Sequence, residues 1–291
     1  LLGGIRDDEK VISILPMERS LIENPEGHFL MFATANGRIK KSRLSEYARI
    51  NRNGKFALRF ADGDSDNLVS VRPATDTDHV VLVSASGNAC RFMPSEEKTR
   101  ISPETGKSVT TYVVRVQGRV SQGVSGMKLA VGDKVIGMIV TDDFDTSVLT
   151  ISKYGMAKRS RLGSGEMNPL TEEGAPIVDE SGGQVFERDG YRKTNRGTKG
   201  VRTMSLRDGD EIVSVRQIPD LEDQLFMLTG SGMMIRMVSG QTKETLGKVT
   251  KGTRIMELRN RERTGYLDEI VFVARLPSEL ISAGESLEEE E

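Results

Sequence analysis

The chain repeats itself, and the repeat leaves few folds open to it. An apolar run, a small polar residue, a glycine and then a basic residue recur at 29–41, 80–91, 148–159 and 225–236, with glycines Gly37, Gly87, Gly155 and Gly232. Each copy reads as strand, tight turn, strand, because glycine supplies the positive φ that hairpin turns demand. A second glycine follows in each copy, at Gly54, Gly123, Gly200 and Gly252. It opens an alternating run, clearest at 124–129 and 201–206, of the kind a half-buried strand requires. An acidic turn and another apolar strand come next, as at 130–133 before 135–140 and at 207–210 before 212–218.

From Gly54 to Gly87, Gly123 to Gly155 and Gly200 to Gly232 the spacing is 33, 32 and 32 residues, whereas from first to second glycine within a copy it is 17, 36, 45 and 20. A rigid unit therefore spans the boundary between copies, and insertions are confined to a surface loop inside each copy. The longest insertion, 163–190, is rich in Gly, Glu, Asp and Pro and is expected to be partly disordered. Residues 5–27 match only the back half of a copy, with a strand at 11–15, and no initiator Met precedes them; a fragment of a longer chain is expected. A repeat of about 50 residues with about four strands buries little alone, so propeller-like blades stacked about an axis are favoured over a string of independent small β-domains.

The charge is segregated by repeat position. The net charge is −2, but five Glu fall among the last nine residues, and without them the balance is +3. Residues 38–60 hold Arg38, Lys40, Lys41, Arg43, Arg49, Arg52, Lys55 and Arg59 against Glu46. Residues 188–207 hold Arg188, Arg192, Lys193, Arg196, Lys199, Arg202 and Arg207 against Asp189. Residues 153–161 add Lys153, Lys158, Arg159 and Arg161; the fourth copy adds Arg236, Lys243, Lys248, Lys251 and Arg254 against Glu244. Acids gather in the turns instead, at 62–66, 76–78, 142–145 and 220–223. Blades arranged about an axis would merge the basic elements into a band, a track for a phosphate backbone. The shortlist of duplex contacts is Arg38, Lys40, Lys41, Arg43, Arg52, Lys158, Arg159, Arg161, Arg192, Lys193, Arg196, Lys199, Arg236, Lys248 and Lys251, with those near the first glycine ranked highest. A solvated charged face is the plainer reading of any single run. Aromatics are 5% with no Trp, a poor match to single-strand stacking.

Other chemistry finds no footing. No apolar run approaches the ~18 residues of a membrane helix, and the N-terminus does not read as a signal peptide. The single cysteine, Cys90, excludes an internal disulfide and fits a reducing cytosol. None of Tyr47, Tyr112, Tyr154, Tyr191 and Tyr266 sits in a nucleophile setting. There is no P-loop, and His28, His79 and Cys90 make no metal-ligand spacing. The acidic stretch 62–66 fails as a calcium loop, since Asn67 and Pro73 stand where Gly and Glu are needed.

Residues 191–201, with Arg196, Gly197, Lys199 and Gly200, resemble a degenerate form of the basic glycine-rich box that marks the C-terminal wrapping domain of the DNA gyrase A subunit. Residues 32–41, 43–47 and 123–135 are also similar to that family's repeat, and the likeness runs from about residue 5 to 276. The resemblance implies an all-β, β-pinwheel fold. It divides into a partial first blade at 1–27, blades at about 28–79, 80–147, 148–223 and 224–279, and an acidic disordered tail at 280–291. It implies binding, bending and chiral wrapping of double-stranded DNA in support of negative supercoiling. The partners would be the rest of the gyrase A subunit together with the gyrase B subunit, in an A2B2 assembly, cytoplasmic and nucleoid-associated. ATP and Mg would be bound elsewhere in that enzyme, with no cofactor, metal or catalytic residue in this chain. The strict box is absent and the third copy's insertion departs from the family pattern. The equivalent domain of the topoisomerase IV A subunit, and a propeller-like protein-interaction module, are the alternatives.

Overall fold

Hairpins form where the repeated glycines place them. The computed structural model describes residues 11–49, 54–60, 66–102, 106–172, 175–245, 250–258 and 268–281, which divide into two compact units. The first comprises residues up to Ser84, Ala89–Asp142 and Thr194–Gly200. It carries β1 (Phe29–Thr34), β2 (Arg38–Arg43), β3 (Leu68–Ala74), β4 (His79–Ser84), β5 (Asn88–Phe92), β6 (Glu97–Ile101), β7 (Ser108–Tyr112), β8 (Val124–Ser125) and β9 (Val135–Thr141). The second comprises Ala85–Asn88, Asp143–Lys193 and residues from Val201 on. Its strands are β10 (Ser147–Ser152), β11 (Met156–Arg161), β12 (Met167–Pro169), β13 (Thr171–Glu172), β14 (Ala175–Pro176), β15 (Phe186–Arg188), β16 (Val201–Arg202), β17 (Ile212–Ile218), β18 (Gln224–Thr229), β19 (Met234–Val238), β20 (Thr253–Arg254) and β21 (Ile270–Leu276).

Each repeat builds an antiparallel sheet around its own hairpin. In the first unit the order is β3-β1-β2-β8, and β4 lies between β5 and β9; in the second it is β17-β10-β11-β20, and β18 lies between β19 and β21. The fold is all-β and propeller-like, but a blade is not one contiguous copy. β8 belongs to the second copy yet completes the first copy's sheet, and β20 of the fourth completes the third's. The boundaries expected at about 28–79 and 148–223 therefore give way to sheets that borrow their outermost strand from the next copy. Strand spacing along a chain does not say which sheet edge a strand will satisfy.

Each part of the repeat signature has a physical task. The small polar residue ends the first hairpin strand: the hydroxyls of Thr34, Ser152 and Thr229 accept the amides of Arg38, Met156 and Met233 at 3.2, 3.3 and 3.2 Å. The glycine does more than turn the chain. A Cβ on Gly37, Gly87 or Gly155 would lie 2.6, 2.7 or 2.6 Å from the carbonyl oxygen of Met127, Met204 or Met256. Conversely, a Cβ on Gly123, Gly200 or Gly252 would lie 2.4, 2.1 or 2.2 Å from the carbonyl of Ile39, Ala89 or Ala157. First and second glycines of consecutive copies thus let two backbones meet where no side chain fits. At Gly232 a Cβ would meet nothing within 4 Å, and β19 has no further strand beside it among the described residues. A bulge recurs at one repeat position, between Ala33 and Thr34, Val83 and Ser84, Ile151 and Ser152, and Leu228 and Thr229, bending each strand at the same place.

The acidic turns are caps. Asp66 accepts the amides of Asn36 and Asn67 at 2.9 and 2.8 Å. Asp210 accepts the Tyr154 amide at 3.1 Å and the Ser152 hydroxyl at 2.8 Å. Asp268 accepts the Ser231 amide and hydroxyl at 3.1 and 2.5 Å. Burial alone would raise the Asp268 carboxyl, but the bonds from Ser231, Thr229 and Glu269 hold it below the usual carboxylate range.

The first unit packs one core on Met31, Ile39, Leu82, Phe92, Met127 and Met138 and a smaller one on Leu30, Phe32, Leu44 and Val71. The second packs on Leu149, Ile151, Ile218, Leu225, Met227 and Val273. Each such side chain contributes about 1.5–3 kcal/mol on burial.

Two expectations are corrected. Residues 11–15 form no strand; Val11, Ile12 and Ile14 are exposed, because no described sheet edge takes them. The 163–190 insertion is not a loose loop. β12 pairs with β15 and β13 with β14, and Asp179 closes a further turn on the amides of Ser181 and Gly183 at 2.9 Å each. Its polar composition reflects a hairpin solvated on both faces. The acidic residues 285–291 of the expected tail lie outside the described residues.

Two measurements test this account. Gly155→Ala is expected to lower the unfolding free energy in urea by more than the ~1–2 kcal/mol of a left-handed side-chain residue alone, because the Met256 carbonyl stands in the way. Gly232→Ala should cost only that φ term. For Asp268 the native pKa lies below the unfolded value, so its stabilisation is complete above pH ~3.9 and is lost as pH falls through the lower native value. Asp268→Asn should therefore flatten the fall in Tm below pH 4.

Candidate nucleic-acid interface

The cation that follows each first glycine is tied into its own sheet. Lys41, Arg91, Arg159 and Arg236 stand opposite Met31, Val81, Leu149 and Phe226. Each reaches diagonally to the residue two places earlier in that strand, a same-face neighbour. Lys41 Nζ lies 3.7 Å from the Phe29 ring centre and donates to Asp76 at 2.6 Å and Ser95 at 2.5 Å. Arg91 donates to His79 Nδ1 at 3.3 Å. Arg159 donates to the Thr242 carbonyl at 2.8 Å and to Ser147 and Glu244 at 3.1 Å each. Arg236 donates to Gln224. Partial burial would push the Asp76 carboxyl up, yet the bonds from Lys41 and Ser95 hold it below its usual range.

One residue earlier, Lys40 and Lys158 point to the opposite face and are equally buried. Lys40 Nζ donates to the carbonyls of Ala57 and Arg119, and Lys158 Nζ to that of Thr203 at 2.6 Å. Burial pushes both ammonium groups down to about 8. Lys40, Lys41, Lys158 and Arg159 are therefore corrected from direct phosphate contacts to internal ties. A cation in a strand covered on both faces must be buried with a partner.

The remaining shortlisted residues fall into three kinds. Arg38 and Arg196 bind backbone: Arg38 donates to the Gln122 and Gly123 carbonyls at 2.9 Å each, and Arg196 to those of Val113 and Ser125 at 2.6 and 3.0 Å. Carbonyls satisfy the donors and leave the positive charge in place. Arg161 and Lys193 are ion-paired, Arg161 with Asp145 at 2.8 Å and Asp189 at 3.5 Å, Lys193 with Glu166 at 2.7 Å. Arg43, Arg192, Lys199 and Lys251 are exposed and make no hydrogen bond or ion pair with a described residue. Arg52 and Lys248 lie outside the described residues.

The box-like segment folds as a tight loop of the first unit. The Gly197 amide donates to the Gly126 carbonyl at 2.7 Å, and the Thr198 carbonyl accepts the Lys128 amide at 2.9 Å. Gly200, at φ +72, lies against Ala89, where no Cβ would fit. Lys199 is left facing solvent. Lys98, bonded to Asn195 at 2.6 Å, and Lys128 join this basic surface although neither was shortlisted. Arg202 of the second unit was also passed over. Lys128 and Arg202 occupy polar positions of the alternating runs behind the second glycine, a signal that was available.

The tyrosines are structural where the surroundings are clear. Tyr191 is buried and bonded to Thr203, and burial raises its hydroxyl to about 12; burial also raises that of Tyr47. Tyr266 lies outside the described residues. Among the described residues no three His, Cys, Asp or Glu group as metal ligands, and no helix is long and apolar enough to cross a membrane.

A family model described as DNA gyrase C-terminal domain, beta-propeller, matches residues 28–75, 105–142, 185–219 and 223–264, more than half of the chain. The DNA gyrase A subunit of Rickettsia prowazekii (strain Madrid E) is 29% identical over 282 residues, covering 89% of this chain and 29% of its own length. The DNA gyrase A subunit of Staphylococcus epidermidis (strain ATCC 12228 / FDA PCI 1200) is 29% identical over 257 residues, covering 87% and 23%. The chain thus spans less than a third of these relatives. Among solved structures, the C-terminal domain of DNA topoisomerase IV superposes with a TM-score of 0.68 at 18% identity, over 97% of this chain and 72% of that one. The DNA gyrase A C-terminal domain does so with a TM-score of 0.58 at 19% identity, over 87% and 67%. Both show the fold.

The division between tied and free cations is testable by stability. Arg159→Ala, which strips donors from Ser147, Thr242 and Glu244, is expected to lower the urea unfolding free energy by about 1–3 kcal/mol. Arg192→Ala should stay within ~0.5 kcal/mol of the parent chain. Equal losses would refute the distinction.

Proposed function

Because the chain belongs to the DNA gyrase C-terminal domain family of β-propellers, we propose that it binds, bends and chirally wraps duplex DNA as the C-terminal domain of a gyrase A subunit. The observation that carries this reading is the set of cations that no described carboxylate ion-pairs. Arg43, Arg192, Lys199 and Lys251 are exposed, and Arg38 and Arg196 spend their donors on carbonyls only. Such charges release counterions from phosphates without reading sequence. Bending a 20–30 bp site by 40–90° costs roughly 1–6 kcal/mol, which several phosphate contacts can offset.

In this reading the chain itself performs no bond chemistry. The parent would be an ATP-hydrolysing type II topoisomerase of the cytoplasm, associated with the nucleoid and assembled as A2B2 with the gyrase B subunit. ATP and Mg would be held outside this chain. The topoisomerase IV reading draws on the higher TM-score to that enzyme's domain. The gyrase reading draws on relatives of about 29% identity that are gyrase A subunits, and sequence discriminates better than a shared fold. An interaction module would bind protein with no salt-sensitive DNA affinity.

The decisive measurement is ligation of DNA into circles in the presence of the chain. A shifted linking-number distribution is expected; an unchanged one removes wrapping. The log of duplex affinity should fall with log salt by roughly 0.9 per phosphate neutralised. In the full enzyme, negative supercoiling of relaxed circles favours gyrase, and relaxation or unlinking alone favours topoisomerase IV.

A further inference from the structure

In the second unit, beside the third copy's inserted hairpins, lies a cavity of about 50 Å³. Its charged lining is Lys158, Arg161, Arg188, Arg192, Arg202 and a single carboxylate, Glu187. Most of these cations have no ion-pair partner among the described residues. Lys158, on the buried side, donates to the Thr203 carbonyl at 2.6 Å. Arg188 donates to the Gly165 carbonyl at 2.7 Å. Arg192 and Arg202 are exposed and make no hydrogen bond or ion pair with a described residue. Only Arg161 is ion-paired, to Asp145 and Asp189.

Size and charge suit a small anion. A water-sized group needs roughly 10–15 Å³ of such space, so the cavity holds about four oxygen atoms. A tetrahedral oxyanion fits that space. Guanidinium forks match the oxygens of such a group in charge and geometry. We propose that this cavity is a discrete phosphate-binding site that seats one phosphate group between Arg192 and Arg202, with Lys158, held on the Thr203 carbonyl, adding its charge from the buried side. The proposal deepens the DNA-wrapping reading where the phosphate is a backbone phosphodiester. It stands apart from that reading where the phosphate is a free anion. Glu187 is the opposing charge at the site, and an entering phosphate must tolerate it.

The test uses the full chain, inorganic phosphate, pyrophosphate and a short duplex, with Arg202→Ala, Arg192→Ala and Glu187→Gln. If the site seats a backbone phosphate, Arg202→Ala or Arg192→Ala lowers the slope of log duplex affinity against log salt by roughly 0.9. Glu187→Gln tightens duplex binding, and phosphate competes for that increment. If it seats a free anion, phosphate or pyrophosphate raises the Tm of the parent chain, the arginine variants lose that rise, and the duplex slope is unchanged. Each variant is checked for an unaltered Tm without phosphate. Should an arginine variant misfold, Arg202→Lys and Glu187→Gln carry the test, because both keep the surrounding packing. The proposal is overturned if salt slopes and phosphate-induced Tm shifts are the same in all variants. Normal duplex binding by every variant would then leave the wrapping reading intact. Loss of the phosphate effect in Arg202→Ala, with no duplex binding by the parent chain, would sink wrapping and keep the site.

Discussion

The unmet backbone edge of each hairpin is the constraint from which the rest follows. A two-stranded ribbon leaves one row of amides and carbonyls open on each side, and buried orphans of that kind are costly. Here the inner side is met by a strand of the same copy, such as β3 against β1, and the outer side by a strand of the next, such as β8 against β2. The closeness of that outer contact, with carbonyls 2.1–2.7 Å from where a Cβ would stand, is why glycine occurs on both sides of it. It also explains the spacing. The 32 or 33 residues from a second glycine to the next first glycine run from one sheet's outer strand through further sheet strands to the next hairpin turn. A change of length there would slip a register and turn side chains to the wrong face. The stretch from first to second glycine leaves one sheet for another over the surface, so it tolerates a β6–β7 hairpin in the second copy and nested hairpins in the third.

Much of this was legible in the sequence, because hairpins, tight turns and rigid spacing are local or periodic properties. Gly37, Gly87, Gly155 and Gly232 were placed at turns from the repeated pattern alone, and they are turns with positive φ. The handing of β8 and β20 to another copy's sheet was not legible, since pairing across copies leaves no periodic trace within one. Residues 11–15 show the same limit from the other side. An apolar run is a strand only where an edge receives it, and Val11, Ile12 and Ile14 remain exposed.

Sequence located the candidate cations but not which of them face solvent. Counting charges treats a basic residue in a strand and one in a loop alike. Lys40 and Lys41 are neighbours that point to opposite faces, as strand residues must, and both faces of β2 are covered. A charge in such a strand survives only with a partner, so Lys40, Lys41, Lys158 and Arg159 became ties. Arg192, Lys199 and Lys251, in irregular segments, and Arg43, at the end of β2, are left facing water. The acids of the turns have a local cause. Asp66, Asp210 and Asp268 gather at one repeat position because each caps a hairpin turn, whatever the electrostatics of the opposite side require.

Buried cations nonetheless remain part of the field that a phosphate would meet. An ion pair such as Lys41 with Asp76, or Lys193 with Glu166, is a dipole whose potential fades within a few ångströms. A cation bonded only to carbonyls keeps a net charge, and Arg38, Arg196 and Lys158 are of that kind. At physiological salt the screening length is about 8 Å, comparable to the depth of a side chain, and less solvent intervenes around a buried group. Lys158, at about 8, is mostly protonated at neutral pH, and an approaching anion would hold the proton more firmly. The carbonyl-bonded cations would therefore attract a phosphate without touching it. Electrostatic attraction in this fold is spread over more residues than its exposed lysines and arginines, and the hydrogen bonds that build each sheet also decide which charges are cancelled.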